Sequence, residues 1–155
     1  MELLIYNEYE MERLGEKLAQ VLEDNDLVYL RGELGAGKTT LVRGIAQGKG
    51  YRGRVTSPTF TLMNVYLLEQ MQINHFDFYR LDPHDIYDLG LEDYLERKGL
   101  SLIEWPQAGA GILPAEALVI DISLVEDDYE RERKVKIKAQ GSQYQEKIKE
   151  LQSLC

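Results

Sequence analysis

A glycine-rich segment at residues 32–39, GELGAGKT, sets the strongest limit on the possible folds of this protein. They fit the pattern G-x-x-x-x-G-K-[ST], in which glycines let backbone amides close around a phosphate group. The apolar run LVYLR at 27–31 predicts a buried strand before the loop, and the apolar spacing over 38–48 predicts a helix after it. This order predicts a phosphate-binding loop. The alternative, a plain glycine turn that caps a helix, leaves Lys-Thr at this spacing unexplained.

The periodicity of the rest of the chain predicts a mixed sheet between layers of helices. Runs 60–68 and 71–79 are rich in β-forming residues and closely spaced, which indicates an antiparallel hairpin, and the alternation at 133–139 is typical of an edge strand. We predict further helices over 9–23 and 143–154, and a helical pattern over 83–97 that carries Ile86, Leu89 and Tyr94 and is interrupted by Gly90. We also predict further strands over 100–104 and 117–124, and a loop or short strand over 51–59. The elements together predict an α/β, P-loop NTPase-like three-layer fold with a mixed (parallel plus antiparallel) central sheet.

Length and charge limit the size of the protein and the choice of partners. At 155 residues the chain has the length of one domain, so we expect a single domain over 1–155. It carries 27 Asp and Glu against 18 Lys and Arg, a net charge of −9, which argues against direct binding to nucleic acid. The single cysteine, the short apolar runs and the lack of a signal-peptide pattern at 1–7 predict a cytoplasmic protein without a membrane segment.

The residues at the end of the glycine loop have the chemistry that a nucleoside triphosphate requires. Lys38 is expected to reach the β- and γ-phosphates, and the Thr39 hydroxyl is a hard oxygen ligand of the kind that Mg²⁺ prefers. Thr40 can donate its backbone N–H to the α-phosphate. The chain lacks N-K-x-D and, after the loop, D-x-x-G, which are the usual signals of guanine nucleotides, so we predict ATP as the nucleotide.

Two acidic residues at predicted strand ends are candidates for holding Mg²⁺. Glu104 follows an apolar pair at 102–103, and Asp77 lies within HFDFYR at 75–80. Both have apolar neighbours, where an unpaired carboxylate is costly, so we expect both to lie near the metal. The sequence leaves open which carboxylate binds the metal and which activates water.

Several other residues have two interpretations. Ser57–Thr59 is either a loop that senses the γ-phosphate or a simple proline turn. Trp105, directly after Glu104, either packs in the core or belongs to the site. His75 and His84 are too few and too scattered for a metal cluster, and packing is the better interpretation. The arginines that either stabilise phosphate charge or lie at the surface are Arg43, Arg80 and Arg131.

Four blocks of sequence resemble the TsaE (YjeE/YdiB) family of bacterial ATPases. The blocks are GELGAGKTT (32–40), SPTFTL (57–62), HFDFYRL (75–81) and IEWP (103–106), and they occur in the order of the family. Members of that family are needed to make threonylcarbamoyladenosine (t6A) in tRNA. The resemblance therefore implies a Mg²⁺-dependent ATPase that serves this modification.

The resemblance also implies roles for individual residues. The Mg²⁺ contacts fall on Thr39 and Glu104, and the strand-end aspartate that matters for activity is Asp77. Thr59 lies in a loop that behaves like a switch, and residues near Glu8 line the adenine side. The residues that bind ATP are Glu33, Leu34, Gly35, Ala36, Gly37, Lys38, Thr39, Thr40 and Arg131, with Lys38 also catalytic.

The partners follow from the same resemblance. The family's ATPase is slow alone and acts with the TsaB–TsaD pair, in which TsaD transfers the threonylcarbamoyl group, so tRNA is contacted only indirectly. The acidic charge agrees with this expectation. Two alternatives remain open, a small-molecule phosphotransferase and an ATP-dependent switch that does not hydrolyse. The chain leaves little room for the lid and second pocket of a small-molecule kinase.

Overall fold

A computed structural model describes residues 1–88, 90–96 and 98–155. The strands are β1 (Glu2–Ile5), β2 (Leu27–Arg31), β3 (Met63–Leu67), β4 (Gln72–Asp77), β5 (Leu100–Glu104), β6 (Ala117–Val125) and β7 (Asp128–Gln140). The helices are α1 (Glu8–Val21), α2 (Lys38–Gly48), α3 (Pro83–Asp88), α4 (Leu91–Leu95) and α5 (Ser142–Leu154), with a 3-10 helix at Pro106–Gly109. None of the helices in this described part of the chain has the length and apolar character needed to span a membrane.

The seven strands form one sheet in the order β1-β7-β6-β2-β5-β4-β3. The four central strands β6, β2, β5 and β4 are parallel to one another. The flanking pairs β6–β7, β7–β1 and β4–β3 are antiparallel. The prediction of a mixed sheet is confirmed, and the parallel strands bring their carboxyl ends to one edge, where ligands bind in open α/β sheets.

Helices cover both faces of the sheet, which gives the predicted three layers. Alternate residues of β2 face opposite sides: Val28 packs in a core with α1, α2 and α5, whereas Tyr29 packs in a second core with α3 and the 3-10 helix. Burial on both faces explains why β2 and β5 read as continuous apolar runs rather than as alternating ones.

The prediction of an edge strand at 133–139 is wrong. β7 is longer than predicted and is paired on both sides, with β6 along one edge and with β1 along the other. The reason is β1, a strand of only four residues that the sequence analysis missed. Its pairing with β7 joins residues far apart in the chain, and Leu4 stays exposed, so no local alternation signals it.

Two other predicted elements are shorter than expected. The hairpin is confirmed, but its strands are trimmed to β3 and β4, and residues before β3 turn through Leu62, which has a φ of 71°. The interruption that Gly90 makes in the helical pattern over 83–97 is a complete break: α3 and α4 are separate helices on either side of Gly90, whose φ is 63°. Leu89, predicted to lie in that pattern, falls outside the described residues. Residues 51–59 form a loop.

The remaining predicted elements are confirmed with boundary shifts of at most two residues. They are the helices over 9–23, 38–48 and 143–154 and the strands over 27–31, 100–104 and 117–124.

Candidate nucleotide site

A cavity of about 600 Å³ opens at the carboxyl edge of the parallel strands, beside the N-terminus of α2. It is lined by residues from the glycine loop, from the segment before α1, from the ends of β4 and β5 and from the β6–β7 hairpin. These lining residues are Ile5–Glu8, Met11, Leu34–Thr40, Ser57, Thr59, Asp77, Glu104, Trp105, Tyr129–Arg131 and Arg133. The position of the cavity at a helix N-terminus favours an anionic ligand.

The shape of the glycine loop depends on close contacts that larger residues would disturb. A Cβ atom on Gly32 would lie 2.5 Å from the carbonyl oxygen of Ile122, so β6 leaves no room for a side chain there. Two hydrogen bonds from side chains of β7 also hold the loop in place. Tyr129 donates its hydroxyl to the carbonyl of Leu34 at 3.1 Å, and Arg133 Nε donates to that of Ala36 at 3.1 Å.

Lys38 lies buried at the floor of the cavity. Its Nζ donates to the carbonyl oxygens of Gly32 at 2.6 Å and Glu33 at 2.9 Å, and it sits 4.4 Å from the centre of the Trp105 ring. Burial lowers the pKa of the Lys38 ammonium, and the negative charges of Glu104 and Asp77 act in the opposite direction. These carboxylates favour the charged form of the lysine that an anionic ligand requires.

Asp77 and Glu104, each expected at a strand end, lie side by side. They are register partners at the ends of β4 and β5 and are only 4% and 3% exposed. Both carboxylates point to the same face, because alternate residues of the two strands, such as Ile73 and Leu102, belong to the core with α1 and α2. The start of α2 packs on that face, so both carboxylates reach the glycine loop.

The two carboxylates have different partners. The oxygens of Glu104 lie 3.3 and 3.4 Å from the Thr39 hydroxyl. Asp77 Oδ2 accepts from the hydroxyls of Ser57 and Thr59, both at 2.9 Å, and its Oδ1 accepts from the backbone N–H of Tyr79. Asp77 therefore holds the Ser57–Thr59 loop against the cavity.

The donor set at Thr39 and Glu104 fits Mg²⁺. A hydroxyl and a carboxylate are hard oxygen ligands, and Mg²⁺ is usually bound through one or two protein oxygens together with water and substrate phosphates. Within residues 1–88, 90–96 and 98–155, no three His, Cys, Asp or Glu side chains group as a metal cage. The site thus has the composition expected for a metal bound together with a nucleotide.

The structure brings most of the predicted site residues to this cavity. Leu34–Thr40, Asp77, Glu104, Thr59 and Glu8 all line it. Glu33 is exposed outside the lining and contributes its carbonyl to Lys38. Arg131 lines the rim, where it forms ion pairs with Glu126 and Glu132.

Two contributions to the site, from Arg133 and His75, were not predicted, and a third, from Trp105, was left open. Trp105, whose role the sequence left open, lines the cavity. Its backbone adopts the left-handed conformation, with φ 56° and ψ 56°, which is unfavourable for a bulky residue. Arg133 contacts the loop from the middle of β7, where the pattern predicts an ordinary strand residue. His75, expected only to pack, contacts Glu104. No local sequence signal distinguishes these contacts, since each joins distant elements.

The fold and the site define a protein of the P-loop NTPase-like class. The crystal structure of Bacillus subtilis YdiB superposes with a TM-score of 0.83 at 31% identity, covering 99% of this chain and 94% of that one. The profile of the family described as "Threonylcarbamoyl adenosine biosynthesis protein TsaE" matches residues 5–135. The chain belongs to the TsaE family.

Relatives in two bacteria support this assignment. A protein of Haemophilus influenzae named "tRNA threonylcarbamoyladenosine biosynthesis protein TsaE" is 44% identical over 129 residues, which cover 79% of this chain and 82% of the relative. A Bacillus subtilis protein of the same name is 36% identical over 145 residues, covering 94% of this chain and 89% of the relative.

Proposed function

We propose that residues 1–155 form a single domain that binds and hydrolyses MgATP and thereby serves the formation of t6A in tRNA. The observation that carries the proposal is the convergence of the Lys38 ammonium, the Thr39 hydroxyl and the Asp77 and Glu104 carboxylates beside one helix N-terminus. The link between ATP hydrolysis and the formation of t6A is supported by the names of the relatives.

Each part of the site has a task in this proposal. The backbone amides over 34–40 bind the phosphates, and Lys38 exchanges its loop carbonyl acceptors for phosphate oxygens. Thr39 and Glu104 hold Mg²⁺, and the metal, when bound, neutralises charge that develops on the phosphates. Asp77, which already holds two hydroxyls of the Ser57–Thr59 loop, orients the attacking water. Arg131 at the rim adds a cation to the nucleotide side.

The TsaB–TsaD pair is the proposed partner, with ATP hydrolysis slow in its absence. A net charge of −9 disfavours binding of tRNA by this protein alone. ATP hydrolysis would therefore act on the protein complex that transfers the threonylcarbamoyl group.

Phosphate release in the presence of TsaB and TsaD tests the proposal. We expect stimulation by the pair and a loss of at least about 100-fold in Lys38→Ala, because one electrostatic donor at a developing charge is worth that much. Lys149→Ala is the matched control, since Lys149 is exposed on α5 and contacts only Glu146 among the described residues. Absence of stimulation would refute partner activation.

Two other outcomes distinguish the alternatives. Nucleotide binding without hydrolysis, unaffected by Glu104→Ala, would favour a switch that only changes shape. A phosphorylated metabolite in a screen with labelled ATP would favour a phosphotransferase.

A further inference from the structure

His75 is a polar side chain in the interior of β4 whose two ring nitrogens are both engaged. It is 0% exposed, and its Nε2 lies 2.5 Å from Oε2 of Glu104. On the other side, Nδ1 lies 2.8 Å from the hydroxyl of Tyr66, which is also buried. The Tyr66 hydroxyl in turn lies 3.3 Å from the carbonyl oxygen of Thr56, directly before the Ser57–Thr59 loop. A line of polar contacts therefore connects that loop to the carboxylate beside Thr39.

The chemistry of the donors fixes the direction of the central bond. An ionised carboxylate only accepts hydrogen bonds, so Nε2 of His75 carries the proton that points at Glu104. In the neutral ring, Nδ1 is then the acceptor, and the Tyr66 hydroxyl donates its single hydrogen to Nδ1 at 2.8 Å rather than to the more distant Thr56 carbonyl at 3.3 Å. This donation by Tyr66 stabilises the tautomer in which His75 is a donor to Glu104.

Packing alone does not require this arrangement. Ile73 on the same strand and Leu102, the register partner of His75 on β5, are fully buried and apolar, so an apolar residue would suit position 75. A buried imidazole costs free energy unless both nitrogens are satisfied, and here the satisfied partner is a carboxylate of the candidate metal site.

We propose that His75 is a positioning residue that orients the Glu104 carboxylate for Mg²⁺ bound with nucleotide. By holding Oε2, His75 fixes the rotation of the carboxylate, whose Oε1 and Oε2 lie 3.4 and 3.3 Å from the Thr39 hydroxyl. Hydrogen bonds from a neighbouring side chain commonly orient metal ligands in this way. The inference rests on the proposed function, because it requires that Thr39 and Glu104 bind Mg²⁺.

Two substitutions of His75 separate the donated hydrogen bond from the space that the ring fills. Glutamine brings an amide N–H to the place of Nε2 and can still donate to Glu104. Asparagine brings its amide to the place of Nδ1, keeps the contact with Tyr66 and leaves Glu104 without a partner. His75→Gln is therefore the rescue variant and His75→Asn the disruptive one.

The test is calorimetric titration with ADP, performed once in excess Mg²⁺ and once in the presence of a chelator. The readout is the ratio of the two ADP affinities, which reports the metal and not the general integrity of the pocket. We expect His75→Asn to lower this ratio about 10- to 100-fold and leave the affinity in chelator within about threefold of the unmodified protein. His75→Gln is expected to keep the ratio within about threefold.

Each further outcome has a defined meaning. An unchanged ratio in His75→Asn, or an equal loss in both variants, overturns the positioning role and leaves the proposed function standing. A ratio of one in the unmodified protein overturns both. Should His75→Asn fail to fold, Tyr66→Phe replaces it, because it removes the hydroxyl that selects the tautomer while keeping the ring. We expect Tyr66→Phe to lower the ratio several-fold, and an unchanged ratio would overturn the proposal.

Discussion

Asp77 and Glu104 share an edge of the sheet but differ in what they hold. Glu104 is within reach of the Thr39 hydroxyl and of His75, whereas Asp77 accepts hydrogen bonds from Ser57, Thr59 and a backbone N–H. An acceptor already bound to two hydroxyls of a loop is suited to coupling that loop to the reaction. The geometry thus favours Glu104 as the metal ligand, a question that the sequence left open.

Replacing each acid by its amide is expected to separate these roles. In Glu104→Gln the metal loses an anionic ligand, so the enhancement of ADP binding by Mg²⁺ should fall by about tenfold or more. In Asp77→Asn the enhancement of ADP binding by Mg²⁺ should stay within about threefold of that of the unmodified protein. ATP turnover should fall by about 100-fold, because the variant lacks the carboxylate that activates the attacking water. Calorimetry and phosphate release measure the two quantities.

The control for this pair is Asp82→Asn, since Asp82 is exposed, lies outside the cavity lining, and among the described residues its carboxylate accepts only from the backbone N–H of Asp85. Both quantities should be unchanged in it. A fall in Mg²⁺ enhancement that is larger for Asp77→Asn than for Glu104→Gln would reverse the assignment.

At the scale of elements, the position of the glycine loop depends on how closely α1 and α2 approach each other. A Cβ on Gly15 would lie 2.6 Å from the carbonyl oxygen of Leu41, and one on Gly44 would lie 2.8 Å from Cα of Glu12. The backbones of the two helices are therefore in contact, and neither can yield locally. Since α2 begins at Lys38, this contact also fixes the helix N-terminus that faces the cavity.

Gly44→Ala is expected to destabilise the fold despite the better helix propensity of alanine. Alanine gains about 1 kcal/mol in a helix relative to glycine, but a methyl group forced against backbone costs about 1–3 kcal/mol and displaces α1. Because a Cβ on Gly44 would lie even closer to the carbonyl oxygen of Glu12 than to its Cα, we expect the cost near the upper end of that range and a net loss of about 2 kcal/mol in the free energy of unfolding, measured by urea denaturation. Gly111→Ala is the control, because a Cβ there meets nothing within 4 Å. Equal midpoints for the two variants would contradict the close contact.

The elements that the sequence predicts well are those whose signals are local. β2, the glycine loop and α2 follow directly from an apolar run, a glycine pattern and a helical spacing. β1 does not, because its stability comes from pairing with β7, more than a hundred residues away, and its own four residues carry little pattern. The split of the predicted helix at Gly90 was visible as an interruption, but spacing alone could not decide between a kink and a break.

The same distinction applies to the candidate site. The adjacency of Asp77 and Glu104 could be predicted, since parallel strands end at one edge. His75 and Arg133 could not, because their importance lies in a partner on another strand or loop: Glu104 for the first and Ala36 for the second. A histidine next to an apolar residue gives the same pattern whether it packs or orients a carboxylate.

The overall charge of the protein opposes direct binding of tRNA, but one local surface is basic. The net charge is −9, yet a second depression of about 510 Å³ next to Thr39 is lined by Arg43 and Arg54. Arg43 is partly neutralised by an ion pair with Glu12 at 3.2 Å. One local pair of guanidinium groups must therefore compete with the repulsion between phosphates and an acidic surface.

We expect the repulsion by the acidic surface to dominate. The isolated protein should therefore bind tRNA with a dissociation constant above about 10⁻⁴ M, which is the weak end of non-specific binding. Fluorescence anisotropy of labelled tRNA at about 50 mM salt, where phosphate contacts are strongest, gives the most demanding measurement.

Tight binding with a steep loss of affinity on raising the salt would contradict the expectation. In that case Arg54→Ala, compared with Arg13→Ala on the exposed face of α1, would tell whether the arginines beside Thr39 hold the RNA. The absence of binding by the protein alone, with tRNA retained once TsaB and TsaD are added, is the outcome that an indirect role requires.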